Sequence, residues 1–590
     1  SEVVQTTYDG DLVRQIAPPV RRQGDIRPQS IWNSSGGRVI IDFGQNLVGW
    51  VRLTVEGTSG QELVLRHAEV LEHGELGTRP LRGALATDRF ILSGKRDTFE
   101  PRFTFHGFRY VEITGLSEDL DEDDIVAVVV HSDMKRTGHF RTSNPKLNRL
   151  HENVVWGTRG NFLDVPTDCP QRDERLGWTG DIAVFAPTAA FLFDVEDFLR
   201  DWLIDLAHEQ MLGDGEVPLV VPNVFKHPGM SERWKDVKTV AIWSDAAVWV
   251  PWALWETYGE RTVLRDQFDS MKTHVDRVAS LLSPDGVWDQ TWQLGDWLDP
   301  TAPPERPEVA QADPAVVATA CAARSAAVLA ETAHVLDYSL EYEKYRKLSV
   351  HITGAFQRHY ISSSGRIVSD CATVYALAIA FGLLTEEQQD YAGSRLAELV
   401  RENEYRIATG FAGTPFVAGA LSATGHDNEA YRLVLEEEPP SWMYAVNMGA
   451  TTIWERWDSM LPDGTINPDR MTSFNHYALG SIAQWMHQVV GGIELLEPGY
   501  SRVRIAPRPP GAELKDAVTW AETSLMTQFG QLRVAWQRAN DESSHEFALE
   551  IDVPPGVAAE VDLPGSTDRR EIDEGSHQLQ FTVPEETHSL

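Results

Sequence analysis

Cysteine is scarce in this chain: three residues in 590, Cys169, Cys321 and Cys371. So few and so scattered, they exclude a disulfide framework and a cysteine zinc site. Cys169 lies among carboxyls, which raise a thiol pKa and disfavour a nucleophile, so it reads as a small packing residue. Positive charge is also short, with 52 Lys and Arg against 88 Asp and Glu and a formal net charge of −36. Without a basic surface to neutralise phosphates, nucleic acid is excluded as a partner. Anionic membrane surfaces are excluded on the same ground. The sequence has no run of about 18 uninterrupted apolar residues, the length of a membrane span.

Motifs for bound groups are missing too. No His-Glu-x-x-His arrangement gathers the 18 histidines, no glycine-rich loop is spaced to hold a nucleotide, and no Gly-x-Ser-x-Gly elbow is present. The expectation is no metal and no cofactor. The acidic run from Glu118 to Asp124 lacks the spaced oxygen ligands and central glycine of a calcium loop, and reads as solvated. Ser1–Thr7 has neither the basic nor the apolar region of a secretion signal. With reduced thiols this leans toward the cytoplasm, although Ser rather than Met at position 1 leaves secretion open.

What the chain does have is tryptophan, 19 residues, and a dense acidic motif. Asp168 to Asp181 reads Asp-Cys-Pro-Gln-Arg-Asp-Glu-Arg-Leu-Gly-Trp-Thr-Gly-Asp. Four carboxyls, two guanidiniums and an indole share fourteen positions that proline and glycine interrupt, unlike a solvated helix face. A carbohydrate-cleaving site needs this mixture: carboxyls to move protons and hold hydroxyls, Arg to hold an anion, an aromatic ring to cover an apolar sugar face.

Three patterns succeed one another along the chain. Residues 1–32 read as an N-terminal extension or linker. Residues 33–136 read as a β-sandwich, with Val51, Leu53 and Val55 alternating with polar neighbours and glycine turns between short runs. Residues 137–492 turn helical, in Ala-rich stretches such as Ser244–Tyr258, Val316–Leu336, Ala372–Leu384, Thr414–Leu421 and Tyr477–Val490. In 181–209 the apolar residues recur at three and four, with Pro187 and Asp194 expected to split the run. Repeated helices over this length, without a fixed repeat period, suit a toroid of inner and outer helices better than a solenoid. Residues 493–590 return to β alternation around Leu532–Trp536 and Phe547–Val553.

Inverting hydrolysis of a glycosidic bond needs two carboxyls on opposite faces of that bond, one an acid and one a base. The first motif supplies Asp168, Asp173, Glu174 and Asp181. A second, Gly449 to Asp458, sets Glu455 between Trp454 and Trp457, where desolvation would tune a carboxyl. The bland alternative is a helix start with a Glu455–Arg456 surface pair. His476 lies between aromatics nearby, and Trp243 with Asp245 and Asp296 with Trp297 are further acid–indole pairs.

These residues carry a resemblance. Asp42-Phe43-Gly44-Gln45-Asn46, His106-Gly107-Phe108-Arg109-Tyr110, the Asp168–Asp181 motif, Gly295-Asp296-Trp297, Pro440-Ser441-Trp442, Gly449–Trp457 and Ser473–Ala478 together make the chain resemble the bacterial α-L-rhamnosidases of glycoside hydrolase family 78. The resemblance implies a multidomain α and β protein: an (α/α)6-barrel catalytic domain flanked by N- and C-terminal antiparallel β-sandwiches. It implies exo-acting, inverting release of terminal α-L-rhamnose from flavonoid glycosides or oligosaccharides, without a cofactor. By position, Glu174 corresponds to the general acid and Glu455 to the general base. Asp168, Arg172, Trp178 and Asp181 correspond to rhamnose-binding residues, and Trp243, Trp297 and His476 to further contacts. A 6-deoxy sugar suits such a set, because its methyl group favours indoles and its hydroxyls favour carboxylates.

Two departures from the family pattern stand out. Only a short piece precedes residue 38, where relatives carry further β domains, and Thr523–Gly530 is atypical. A glycoside phosphorylase on a similar toroid, or an inverting hydrolase of another sugar, is the competing enzyme reading. A non-catalytic sugar-binding protein is the other, and the presence of both glutamates counts against it.

Overall fold

The computed structural model describes residues 10, 13–116, 119–229, 234, 237–303, 306–514, 517–538, 546–566 and 569–582. Glu118, part of the acidic run, and Ser1–Thr7 lie outside the described residues. The described residues form a β-sandwich, a helical barrel and a second β-sandwich.

The first sandwich is built around one long strand, Val39–Glu56, which pairs with Ile125–Ser132 on one side and His106–Thr114 on the other. A register shift between Asp42 and Leu47 bends it. Its N-terminal stretch takes Ser30–Asn33 as a neighbour and its C-terminal end takes Arg96–Phe99. The alternation read at Trp50–Glu56 is seen directly: Val51 and Leu53 are buried and their neighbours are not. The sheet reaches further back than residue 33, because Val20–Ile26 pairs with Ile125–Ser132 as its edge strand. Residues 1–32 are therefore not only a linker. Val20–Ile26 is almost fully exposed and carries no apolar alternation, so only its long-range pairing marks it as a strand.

The barrel helices are α1 (Pro145–Asn161), α2 (Thr179–Leu192), α3 (Glu196–Leu212), α4 (Ala246–Tyr258), α5 (Arg261–Leu281), α6 (Pro314–Val335), α7 (Ser339–Tyr360), α8 (Ala372–Ala380), α9 (Glu386–Glu402), α10 (Thr414–Ala423), α11 (Asp427–Leu435), α12 (Trp442–Asn447) and α13 (Ile482–Trp485). Packing contacts run α2–α4–α6–α8–α10–α13 and back to α2, a closed ring of six. These inner helices are apolar all round, as helices buried on every side must be. In α8, Ala-Thr-Val-Tyr-Ala-Leu-Ala-Ile-Ala, all but the last residue are buried. The odd-numbered helices α5, α7 and α9 carry charge on one face and form the outer layer. Among the described residues one helix, α6, is long and apolar enough to cross a membrane, but most of it is buried inside the ring.

Pro187 does not split the 181–209 run. It sits inside α2, and the break comes at Phe193–Val195. A proline costs one hydrogen bond and a clash with the preceding turn. Burial of nearly the whole of α2 against α4 and the segment after Tyr477 outweighs that cost. Tyr477–Val490 is likewise not one helix but a 3₁₀ turn, the short α13 and a π turn.

The closing sandwich has a five-stranded and a four-stranded sheet. Gly138–Thr142, expected within the helical region, is the edge strand of the five-stranded sheet, paired with Trp520–Thr527. Arg502–Ile505 and Ala558–Asp562 pair in parallel within the other sheet. Trp536 ties the sandwich to the barrel by donating to the Val490 carbonyl at 2.7 Å.

Candidate active site

Five inner helices begin beside one cavity. Trp178 and Asp181 sit at the start of α2, Trp243 just ahead of α4, Trp297 ahead of α6, Gly410 and Phe411 ahead of α10, and His476 ahead of the turn leading to α13. The cavity measures about 430 Å³. The nine residues given catalytic or binding roles from the resemblance all line it: Asp168, Arg172, Glu174, Trp178, Asp181, Trp243, Trp297, Glu455 and His476. Close packing shapes its wall at Gly180, where an added Cβ would lie 2.6 Å from the Trp243 ring.

Arg172 is the hub. Its side chain is 1 % exposed. Nη1 donates to Glu455 Oε2 at 2.7 Å, and Nη2 donates to both Glu455 Oε1 at 3.1 Å and Glu174 Oε2 at 2.7 Å. Asp168 Oδ2 lies 3.6 Å from the same Nη2. The two motif glutamates therefore accept from one nitrogen, no farther apart than two hydrogen bonds in series. The surface-pair alternative for Glu455 is excluded, because its side chain is 4 % exposed.

The electrostatics differ from group to group. Burial works to raise Glu455, but the Arg172 and His476 charges outweigh it and hold its carboxyl below the usual range. Burial, reinforced by Glu174, pushes Asp168 up to about 8. Burial would lower His476, yet Asp181, with Nε2 3.0 Å from Oδ1, and Glu455 push it up to about 9. The pocket thus holds a fixed carboxylate at Glu455, a carboxyl at Asp168 that favours its proton, and a His476–Asp181 ion pair.

Aromatic rings supply the rest of the wall. Trp234 meets Trp178 edge-on at 5.7 Å between centroids and Trp297 at 6.0 Å, while Trp243 stacks on Phe411 at 4.9 Å. Trp234, which has Glu232 and Asp236 two positions away, and Phe411 were not singled out in the sequence. Asp245 and Asp296 do not line the cavity. Asp245 is buried and bonded to His274, Ser325 and the Ile242 amide. Asp296 accepts from Thr373 and from the amides of Gly410, Ala412 and Gly413, fixing the loop ahead of α10.

The first sandwich supplies a residue that the motifs did not reveal. Arg82, at φ 51°, donates from Nη2 to Glu174 Oε2 at 2.8 Å, and the Gly83 amide donates to Asp173 Oδ2 at 3.1 Å. The same sandwich supports the Glu455 loop. Asn46 Nδ2 donates to Glu69 and Thr452, the Asn46 amide donates to Thr451, and Gln45 Nε2 donates to the Thr451 carbonyl. Arg109 grips Asp42 with two bonds of 2.8 Å and reaches the Gly449 carbonyl.

Cys169, Glu455 and His476 have ligand atoms close enough together to hold a metal. They fit one poorly. The Arg172 guanidinium already occupies both Glu455 oxygens, and burial pushes the Cys169 thiol well above its usual range. What the cavity can do is acid–base chemistry on a neutral, partly apolar polyol.

Family models match three consecutive parts of the chain. A model described as the bacterial alpha-L-rhamnosidase 6 hairpin glycosidase domain matches residues 135–490. The concanavalin-like domain of the same group matches 33–131, and its C-terminal domain matches 492–579. An alpha-L-rhamnosidase of Streptomyces avermitilis is 40% identical over 94% of this chain and 51% of its own length. A Formosa agariphila alpha-L-rhamnosidase is 38% identical over 89% of this chain and 55% of its own. The chain spans about half the length of the curated relatives it matches. Among solved structures, the native Aspergillus terreus enzyme superposes with a TM-score of 0.90 at 42% identity, covering 96% of this chain and 64% of that one. The Streptomyces avermitilis enzyme complexed with L-rhamnose gives 0.89 at 38%, covering 97% and 54%.

Proposed function

Given that the chain belongs to the bacterial α-L-rhamnosidases of glycoside hydrolase family 78, we propose that it hydrolyses terminal, non-reducing α-L-rhamnose from rhamnosides with inversion at the anomeric carbon. The observation that carries this reading is the convergence of Glu174 and Glu455, far apart in sequence, on Arg172 in one cavity.

Glu455 lies deep, bound by both arms of Arg172 and kept ionised, which suits a base that takes a proton from water. Glu174, with 18 % of its side chain exposed against 4 % for Glu455, lies nearer the mouth, where a departing group would leave. It takes the role of acid. Asp168, Asp181 and His476 bind the sugar hydroxyls, and the edge-packed Trp178, Trp234 and Trp297 cover its methyl and ring hydrogens. A pocket that closes around one terminal sugar gives exo action. Flavonoid glycosides and oligosaccharides both present such an end.

Inversion places the two carboxyls about 6.5–9.5 Å apart, with water between base and sugar. In this structure both accept from Arg172 Nη2, so the arrangement is closed. Substrate insertion has to part Glu174 from Arg172 and Arg82, exchanging those two donors for the glycosidic oxygen. Glu174, the more exposed partner, is the arm that moves.

The test is NMR of the first-formed sugar from a 4-nitrophenyl α-L-rhamnoside, with Glu174→Gln and Glu455→Gln alongside. The β anomer appears first, Glu455→Gln loses about 10²–10⁴-fold in turnover, and Glu174→Gln loses as much on a rhamnoside with a poorer leaving group than 4-nitrophenol. An α product, near-wild-type turnover in Glu455→Gln, or near-wild-type turnover of Glu174→Gln on the poorer leaving group overturns the assignment. Failure to cleave any α-L-rhamnoside, with cleavage of another glycoside, overturns the substrate.

A further inference from the structure

Behind the acidic motif, in the first sandwich, three potential ligands face one another. His67 lies on strand Glu62–Ala68, Asp88 on Thr87–Ile91 and His106 at the start of His106–Thr114. A ring nitrogen of each histidine and a carboxylate oxygen of Asp88 all lie within 4.8 Å of one another; both histidines are buried and Asp88 is half-buried.

The protonation of His67 is set by its partners. Its Nδ1 lies 3.0 Å from the Ala86 carbonyl, which can only accept, so Nδ1 carries the hydrogen. Nε2 is left with a lone pair, is buried and has no hydrogen-bond partner. That lone pair faces Asp88 Oδ2 at 3.9 Å. The imidazole of His106 stacks on His67 at 4.1 Å, and its Nε2 lies 3.1 Å from both Asp88 oxygens. Two nitrogens on stacked rings thus converge on one carboxylate, and a lone pair pointing at an anion in a buried place is unfavourable unless a cation joins them.

A neutral imidazole whose other nitrogen donates to a backbone carbonyl is the form and orientation that a metal-bound histidine takes.

We propose that His67, Asp88 and His106 form a binding site for a divalent transition-metal ion of the zinc class. Two imidazoles and one carboxylate select such ions over calcium and magnesium, which prefer oxygen. Zinc holds nitrogen and oxygen at about 2.0–2.2 Å, so ligand atoms as much as 4.8 Å apart close on it by small side-chain rotations. Three protein ligands leave a position for water. The Asp88 side chain, 10 % exposed against 0 % for His67, is the side from which the ion arrives.

The site's place gives it a consequence for the pocket. Ala86 and Asp88 end the loop whose Arg82 and Gly83 bind Glu174 and Asp173. Gly107, next to His106, packs so tightly on Gln171 that a Cβ there would lie 2.8 Å from the Gln171 Cβ. An ion at this point pins the loop against the back of the Asp168–Asp181 motif. It takes no part in the acid–base step, and the proposal does not depend on which glycoside is cleaved.

The experiment uses the full chain, stripped with a chelator and dialysed against zinc or cobalt. Metal content, the visible absorption of bound cobalt and thermal unfolding are followed in wild type, His67→Asn and Asp88→Asn. His67→Asn keeps a donor for the Ala86 carbonyl and removes Nε2, so comparable unfolding without metal shows that the variant folds. Wild type is expected to retain one ion per chain, to show cobalt bands of nitrogen and oxygen ligation, and to unfold at a temperature that rises with zinc. Both variants lose all three responses. Substoichiometric metal with no shift in unfolding overturns the site. Undiminished binding in the variants also overturns it, and strong inhibition of turnover in that case locates the ion at Cys169, Glu455 and His476 instead.

Discussion

Among single residues, Asp168 is where binding and stability pull apart. Its carboxyl favours the proton up to about 8 because it is buried beside Glu174. An unfolded Asp titrates near 3.9, so between about pH 4 and 8 the folded protein binds more protons than the unfolded one. Stability therefore falls as pH rises through that window. Asp168→Asn keeps the oxygen that accepts from the Leu176 amide at 3.1 Å and removes the titration. Scanning calorimetry at pH 7.5 is expected to show a Tm roughly 1–4 °C above wild type, shrinking to nothing near pH 4, while kcat/KM falls about 10²-fold or more. An unchanged Tm at pH 7.5 would mean that Asp168 is already ionised in the folded state. His476 works in the same sense over a higher pH window. Its folded pKa of about 9 contributes stability below the usual imidazole range, lost as pH climbs toward 9. Much of the site was legible at this scale because carboxyls and indoles crowd two short motifs. Arg82, Trp234 and Phe411 were not, because each stands alone among residues of another kind and reaches the cavity only through folding.

Helices tell a different story, since their inner faces carry the pocket on their N-terminal ends. The apolar, Ala-rich stretches located α4, α6, α8 and α10 within a few residues, because a ring of buried helices needs unbroken apolar sequence. Pro187 misled, because packing around α2 outweighs a lost backbone bond. Gly180 shows the same contest at the start of α2. Alanine in place of glycine favours a helix by about 1 kcal/mol, but the new Cβ would sit 2.6 Å from the Trp243 ring, and overpacking typically costs about 1–3 kcal/mol. The clash is expected to win. Gly180→Ala should lower stability to urea by about 1–2 kcal/mol and raise KM several-fold, as Trp243 shifts in the wall. A stabilised variant with unchanged KM would show that Trp243 yields freely and does not shape the pocket.

Taken as a molecule, the three parts interlock, and their seams were invisible in the sequence because each is a pairing between distant segments. Gly138–Thr142 leaves the barrel to join the closing sandwich, and Val20–Ile26 turns a presumed linker into a sheet edge. The seam with the greatest chemical consequence runs through Asn46, where the first sandwich meets the loop that carries Glu455. Its amide and side chain hold Thr451, Thr452 and Glu69, and burial has already pushed Glu69 up to about 7. Asn46→Ala strips a donor from that buried carboxyl and from Thr452, each worth about 1–3 kcal/mol when left unsatisfied. The loop then loses its anchor on the sandwich side while Arg172 still holds Glu455 on the barrel side. Unfolding should show a loss of about 2–4 kcal/mol. Turnover measured well below the new Tm should fall at least tenfold, with KM changing less, because a base that wanders loses rate before it loses binding. Full turnover in a destabilised Asn46→Ala protein would show that Arg172 alone positions the base, and that the sandwich contributes stability without aiming the chemistry.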